Sequence, residues 1–472
     1  MRSLENRTGF LFGLLILLFA SALFFLFDLG QPALLDYDEA IYAQVIADTG
    51  VSANFPVLMY GGEPFFDKPP LAYWLAMLSE RLWGAGEFAL RFPAAIFGIL
   101  GILATVLLTL ELTGRKSVAL LGGVVLLTTG AFLEAGRQLR LDVPVTTCIV
   151  FAYYAFLRGR KDTRWYLLVG VFVALGILFK SIIGFFALIP ILAYSIVERD
   201  FSWLRQRDTW FGVLLSILII LPWHLHETLH FGSAFWQSYL FHHVFERFES
   251  AILGGASSNW EYVKYSLLYT FPWILTFLIG CLGLFSRKNR AGETGKTLLV
   301  LAFTVITIYV LFGIARTKLF YYLVPTMPFV AVFSTLYLER TRNRMGTYGN
   351  ALIVILLLAG LVSAPYVGFN KEFHLARNQA VAEEERRIGL VLKNAGTPSE
   401  IKAFDYDYWD TIRYYSGGTH VTSLKEGTVG TEPFLLVMSS ALYATSPFSK
   451  KTMEHLTPLY KGDLLVLLSF AP

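Results

Sequence analysis

Residues 9–27 read GFLFGLLILLFASALFFLF, and the polar stretch that follows contains Asp36-Tyr37-Asp38-Glu39. An apolar run of about 20 residues is what a helix needs to cross a bilayer core. The residues directly before Asp28 are large and apolar, not a small-residue cleavage site, so the run reads as a retained anchor rather than the core of a signal peptide. The carboxylates then emerge at a membrane face, where an ionised side chain costs free energy unless it meets water, a cation or a substrate. Further on, Phe66-Asp67-Lys68-Pro69-Pro70 brings a second acid and a base to the same face. Clustered charges in that position mark a site.

Outward from this stretch the chain stays apolar. Of 472 residues 55% are hydrophobic and 16% aromatic, and the mean hydropathy is +0.55. These values exclude a water-soluble fold and predict an α-helical polytopic membrane protein. Spans of bilayer length number about 11. They fall at 9–27, 88–111, 117–134, 143–157, 165–179, 181–197, 210–226, 265–285, 297–315, 319–338 and 349–367, with Lys180 between two of them in a tight hairpin. Lys and Arg collect on alternate connections, at Arg2 and Arg7, Arg115 and Lys116, Arg158 to Arg164, Arg199 to Arg207, Arg287 to Lys296, and Arg340 to Arg344. By the positive-inside rule those connections and the N-terminus are cytoplasmic.

The net charge of +4 is small and dispersed over short loops, which excludes nucleic acid as a partner. Cys148 and Cys281 both lie in apolar spans, so neither a disulfide framework nor a cysteine metal site is expected.

The opposite face carries the long segments. Residues 1–367 are expected to form the transmembrane domain, with outer loops 28–87 and 227–264 shaping the active site. Residues 368–472 are expected to form a small extracytoplasmic α/β domain of roughly 100 residues. Gln379 to Lys393 shows a charged helical pattern there, and Phe434 to Met438 and Leu464 to Leu468 read as buried strands. In the first outer loop, Ala40 to Asp48 and Leu71 to Trp83 have helical spacing; the second, with Trp74 and Trp83, suits a helix in the interface plane.

Asp36 and Glu39 have the spacing of a capping box opening a helix. Asp38 would then stand in the first turn, free to take a proton from an attacking hydroxyl. Asp36-x-Asp38 also matches a metal-binding pair, although so short a pattern recurs at Asp405-Tyr406-Asp407. Two prolines stiffen the turn after Asp67 and Lys68; the alternative there is an ordinary surface ion pair. In Phe241-His242-His243-Val244-Phe245-Glu246-Arg247-Phe248, adjacent histidines cannot share a helical face. His243 paired with Asp67 would suit a divalent metal ion (Zn, Mg or Mn). Lys68, Arg137, Arg140, Lys180, Arg247, Arg316 and Lys318 break the charge rule, and each needs an anionic partner. Cations at helix ends often only snorkel, but so many converging would suit a phosphate headgroup. Asp142 enters the fourth span beside them.

Asp38-Glu39-Ala40-Ile41-Tyr42-Ala43, Phe66-Asp67-Lys68-Pro69-Pro70 with Tyr73-Trp74, Leu141-Asp142-Val143-Pro144, Phe179-Lys180-Ser181, Phe235-Trp236 through Phe248, and Lys318-Leu319-Phe320-Tyr321-Tyr322-Leu323-Val324-Pro325 occur in this order. The ordered set resembles the bacterial GT-C membrane glycosyltransferases related to the lipid A aminoarabinose transferase and the protein O-mannosyltransferases. The resemblance runs from residue 30 to about 330. It implies a GT-C fold in the bacterial inner membrane, a polyprenyl-phosphate-linked sugar as donor, inversion at the anomeric carbon, and a glycolipid or protein acceptor. By the same resemblance Asp38 is the catalytic aspartate, Asp67 and His243 hold a metal, and Lys68, Arg247 and Tyr322 contact the donor phosphate. Glu39, Asp142, Lys180, Arg137 and Lys318 complete the candidate site, and no organic cofactor is implied. Ile41 stands where the aminoarabinose branch carries an arginine, and the chain has fewer C-terminal spans than that branch. Both departures bear on the sugar and the acceptor.

Two other classes gather cations at a membrane face. A flippase or transporter of an anionic lipid would place charges near the midplane and show internal repeats, whereas these charges sit at span ends and no repeat is visible. A polymer ligase would take a lipid diphosphate donor instead of a monophosphate.

Overall fold

A computed structural model describes residues 2–35, 38–52, 55–246, 258–316, 318–369, 379–396, 400–404, 410–424, 434–445, 448 and 450–471. The chain divides into two compact units. The first is Met1–Phe27, Phe66–Leu75 and Arg91–Phe369; the second is Asp28–Phe65, Ala76–Leu90 and Asn370–Pro472. The loop residues 28–65 and 76–90 thus group with the tail rather than with the spans.

The longer helices up to residue 369 are, in chain order, α1 (Arg2–Leu26), α2 (Asp38–Val51), α3 (Leu71–Trp83), α4 (Glu87–Thr113), α5 (Lys116–Leu127), α6 (Gly130–Gly136), α7 (Asp142–Gly159), α8 (Trp165–Lys180), α9 (Leu188–Glu198), α10 (Arg207–Phe231), α11 (Asn259–Tyr269), α12 (Trp273–Gly283), α13 (Gly292–Ile314), α14 (Met327–Met345) and α15 (Thr347–Phe369). Among the described residues 7 helices are long and apolar enough to cross a membrane, or up to 9 if each of two bent pairs is one span. The bent pairs are α5 with α6, at 67°, and α11 with α12, at 114°. The chain is therefore a multi-pass membrane protein, but the expected eleven spans do not all meet that test. One reason is α7, which begins on Asp142 and carries Arg158 in its last turn.

A second reason is that residues 165–198 run on as one helical segment of 34 residues. That segment nevertheless reverses. Ser181 has φ 49° and ψ −131°, a region that L-residues seldom enter, and a 3₁₀ turn over Ser181–Ala187 folds back on α8. A Cβ on Gly184 would lie 2.2 Å from the Ile177 nitrogen, so only glycine permits the return. Arg160, just before α8, meets Asp200, just after α9, at 2.9 Å. Lys180 therefore sits at the tip of a hairpin.

The basic connections of the first unit gather at one end of the bundle through ion pairs. Glu111 accepts from Arg158 at 3.3 Å and from Lys161 at 2.5 Å, Lys296 reaches Glu198 at 2.8 Å, and Arg115 reaches Glu339 at 2.6 Å. At a rise of about 1.5 Å per residue, α7 and α8 carry Asp142 and Lys180 roughly 25 Å from this end.

In the second unit, α16 (Gln379–Asn394) and α17 (Asp410–Ser416) accompany a five-stranded sheet. A short hairpin of β1 (Met59–Tyr60) and β2 (Glu63–Pro64) precedes it in the chain. The sheet contains β3 (Glu400–Phe404), β4 (His420–Leu424), β5 (Phe434–Ser439), β6 (Leu456–Lys461) and β7 (Leu465–Phe470), in the order β4-β3-β5-β7-β6. The β3 strand is parallel to β4 and β5, and β7 is antiparallel to β5 and β6. Alternation along the strands gives each face its own core. Ile401, Ala403, Val437, Leu465 and Leu467 pack with Ile388 and Leu392 of α16 and with Ile412 of α17. Leu436, Met438, Val466, Leu468 and Phe470 form the other cluster. The buried Glu384 carboxylate accepts from the Asp463, Leu464 and Leu465 amides, fixing the turn between β6 and β7. The expected small α/β domain is present, with three strands beyond the two read from the sequence.

Candidate active site

In the first unit, Asp142 opens α7 and Lys180 closes α8. A carboxylate at a helix N-terminus and an ammonium at a C-terminus each lie on the favourable side of the helix dipole. The two side chains form an ion pair, 5% and 14% exposed respectively. Thr146 donates back to the Asp142 carbonyl at 2.6 Å, tightening the first turn. Lys180 thus finds its anionic partner within the chain.

Two tyrosines from the 3₁₀ segment Phe320–Thr326 face this pair. The Lys180 ammonium lies 5.6 Å from the centre of the Tyr321 ring and 5.7 Å from that of Tyr322. Arg140 lays its guanidinium 4.0 Å over Tyr321, and its Nε donates to Gln138 Oε1 at 2.5 Å. Tyr322 stacks on Phe312 with centroids 5.0 Å apart. Ring faces hold the cations where they are and add attraction once water is excluded. Asp142, Lys180, Arg140, Tyr321 and Tyr322 make one buried polar cluster.

Arg137 and Lys318 do different work. Arg137 donates to the carbonyls of Phe24 at 2.8 Å and Phe25 at 3.3 Å, closing the C-terminal end of α1. Lys318 donates to the Gly313 carbonyl at 3.0 Å and to that of Ala315, closing α13. Burial pushes its ammonium pKa down. Their carbonyl partners explain why both tolerate burial.

The Phe66-Asp67-Lys68-Pro69-Pro70 turn is held by its aromatic end. Phe66 packs edge-on against Phe231 at 5.0 Å and Phe235 at 5.5 Å. Trp223, Phe235 and Tyr239 are the buried centre of this cluster, and Trp74 packs against it. Lys68 donates to the Asp67 carbonyl at 3.1 Å. His243 lies in a π-helical stretch over Gln237–Glu246, but its side chain, like all of Arg247, lies outside the described residues, as does Asp36. Among the described residues no group of three or more His, Cys, Asp or Glu is arranged to hold a metal ion.

In the second unit, Asp38 begins α2 with Glu39 beside it. Glu39 is 1% exposed, and its Oε2 accepts from the Leu35 amide at 3.0 Å. Its carboxylate is spent on the helix entry, while Asp38 is only half-buried.

Sequence reasoning passed over Tyr321 and Gln138, which support Arg140, and over Glu227 in α10, which is 1% exposed. For Tyr321 the signal was its position next to Tyr322. For Glu227 it was a lone acid within a helical turn of the end of the seventh apolar span.

The arrangement of the helices and of the small α/β unit is shared with solved structures. The chain has the fold of ArnT from Cupriavidus metallidurans, solved bound to undecaprenyl phosphate, with a TM-score of 0.74 and 17% identity, covering 96% of this chain and 97% of that one. Residues 67–226 match the family described as dolichyl-phosphate-mannose-protein mannosyltransferase. The undecaprenyl phosphate-alpha-4-amino-4-deoxy-L-arabinose arabinosyl transferase of Enterobacter sp. is 29% identical over 333 residues, which are 67% of this chain and 58% of that protein. The protein of the same name from Shewanella sediminis is 25% identical over 94% of this chain and 80% of its own length. The chain thus spans little more than half the length of the first of these relatives. It resembles the aminoarabinosyl transferases and O-mannosyltransferases in sequence, as its motifs implied.

Proposed function

We propose that this chain is an inverting glycosyltransferase. It moves a sugar from a polyprenyl monophosphate to a hydroxyl or phosphate of an acceptor, either a glycolipid such as lipid A or a protein. The observation that carries this reading is the buried Asp142–Lys180 pair, with Arg140 and the two tyrosines, at the bundle end away from the basic loops. The relatives' names, which specify transfer from undecaprenyl phosphate, support it.

As the sugar's C1–O bond breaks, negative charge grows on the departing lipid phosphate. Fixed cations in a partly dry setting stabilise that charge better than water does. Lys68, Arg247 and Tyr322 are assigned to the phosphate. Lys180, locked by Asp142, and Arg140, locked by Tyr321, add positive potential without having to reorganise. The acceptor oxygen forms the new bond to C1 from the opposite side, and its proton passes to the Asp38 carboxylate, a transfer typically worth roughly 10²–10⁴-fold. The lipid leaves as its monophosphate. Because basic loops face the cytoplasm, the reaction is assigned to the outer face of the bacterial inner membrane. The N-terminus is then cytoplasmic and residues 368–472 extracytoplasmic.

Mass spectrometry of surface glycolipids and glycoproteins from cells lacking this chain tests the assignment. One glycoform should lose a single sugar residue, and an unchanged profile under conditions where the protein is made would contradict it.

A further inference from the structure

Four helix ends at the basic end of the bundle border a cavity of about 490 Å³, within the size range of small-molecule sites. Thr113 of α4, Arg115 at the entry to α5, Gly292 and Gly295 of α13, and Glu339 and Arg340 of α14 line it. All belong to the first unit, at the end opposite Asp142 and Lys180. Glu339 is already satisfied, since it accepts from Arg115 at 2.6 Å and from Arg342 at 2.8 Å. Glu293, the other acid on the wall, is 91% exposed and lies 3.9 Å from Lys296. Arg340 is half-buried and has no carboxylate partner among the described residues. Its guanidinium donates to the Asn289 carbonyl at 2.8 Å and to Asn289 Oδ1 at 3.1 Å, and Arg344 donates to that same Oδ1 at 3.2 Å.

The cations here outnumber the carboxylates that could neutralise them. Two arginines share Glu339, while Arg340 and Arg344 crowd one neutral amide, so the cavity keeps a positive excess and has room for an anion. The first turn of α13 adds donors, because no side chain caps that helix and its leading N–H groups have no acceptor within it. Guanidinium forks match the oxygens of a phosphate, which takes several donors at once. In the orientation proposed above the cavity lies at the cytoplasmic leaflet, where basic pockets between membrane helices take acidic headgroups.

We infer that this cavity binds a phosphate group through Arg340, Arg115 and the first-turn amides of α13. The group belongs either to the headgroup of an acidic phospholipid or to a free phosphate, and both offer the same oxygens. Bound there, it ties the α4–α5 connection to α13 and α14, so occupancy stabilises the bundle. The site does not depend on the glycosyltransferase reading.

The test titrates the full chain, purified in detergent and stripped of lipid, with short-chain phosphatidylglycerol, short-chain phosphatidylcholine and inorganic phosphate, reading binding and melting temperature. Wild type should bind phosphatidylglycerol saturably, more tightly than phosphatidylcholine, and melt higher as the site fills. Arg340→Gln should weaken that binding roughly 10- to 100-fold, the scale of a charged hydrogen bond. Arg115 is 50% exposed and Arg342 also pairs with Glu339, so Arg115→Gln should keep the melting temperature of the lipid-free protein and lose only the ligand-induced rise. Arg164→Gln removes an exposed charge outside the cavity and should leave binding within about twofold. If inorganic phosphate binds with the same dependence on both arginines and phosphatidylglycerol adds nothing to it, the site is one for free phosphate. The site is overturned if neither phosphatidylglycerol nor phosphate binds saturably, if phosphatidylglycerol is not preferred over phosphatidylcholine while phosphate fails to bind, or if Arg164→Gln loses as much as Arg340→Gln.

Discussion

Separating Lys180 from Asp142 should cost more than either side chain contributes alone. With 5% and 14% exposure, neither charge has water to fall back on. Truncating one partner of such a pair leaves the other uncompensated, at about 3–5 kcal/mol. Lys180→Met strands the more deeply buried member and also removes two cation–ring contacts, at 5.6 and 5.7 Å, each worth about 0.5–1 kcal/mol. It should fall at the top of that range. Asp142→Asn leaves an ammonium that is still flanked by the Tyr321 and Tyr322 rings, and should fall at the bottom. The double variant removes both charges and should recover most of the loss, with a coupling of about 2 kcal/mol or more. Denaturation of the purified protein in detergent reads the stabilities, and turnover per folded molecule reads the function. If Lys180 contributes positive potential to the phosphate, the double variant regains stability but not turnover. Additive stabilities would refute the buried pair, and a double variant with full turnover would reduce it to a structural clasp.

Gly184→Ala places a Cβ 2.2 Å from the Ile177 nitrogen; it should cost roughly 1–3 kcal/mol or more and sharply lower the yield of folded protein, and a variant of normal stability would contradict the hairpin. Arg137→Met should lose about 1.5–3 kcal/mol of stability, the scale of charged hydrogen bonds, with turnover per folded molecule unchanged. A selective rise in KM for the donor would instead return Arg137 to the site. Lys318 predicts a pH effect. Burial sets its pKa below the ordinary value near 10.4, so the folded state holds this proton less well than the unfolded chain. The cost of charging it is fully present at neutral pH and relieved as pH rises from the lowered pKa toward about 10.4. Wild type should therefore gain in melting temperature relative to Lys318→Met between pH 7.5 and pH 10, and a flat or opposite trend would refute the assignment.

The membrane helices were legible because the bilayer imposes one rule on every span, a long and apolar run of residues. Their ends were less legible. Hydropathy closed the seventh span at residue 226, which put Glu227 in a loop, whereas α10 runs to Phe231 and buries it. The candidate cations were legible as a class, but their individual roles were not. Lys180 meets an acid 38 residues away, and Arg137 meets carbonyls 113 and 112 residues away; neither distance leaves a local pattern. The same holds for β3, β4 and β6, whose short, partly polar sequences acquire meaning only beside β5 and β7. Asp38 stood out because the first apolar run ends so close before it.

The most direct test of the account supplies purified protein with a labelled sugar on polyprenyl monophosphate, together with membrane extract as acceptor, and follows release of the lipid. Wild type should yield free polyprenyl monophosphate and a labelled acceptor of inverted anomeric configuration. Asp38→Asn, folded and inserted, should yield neither. Near-normal transfer by Asp38→Asn, or discharge only from a diphosphate donor, would contradict it.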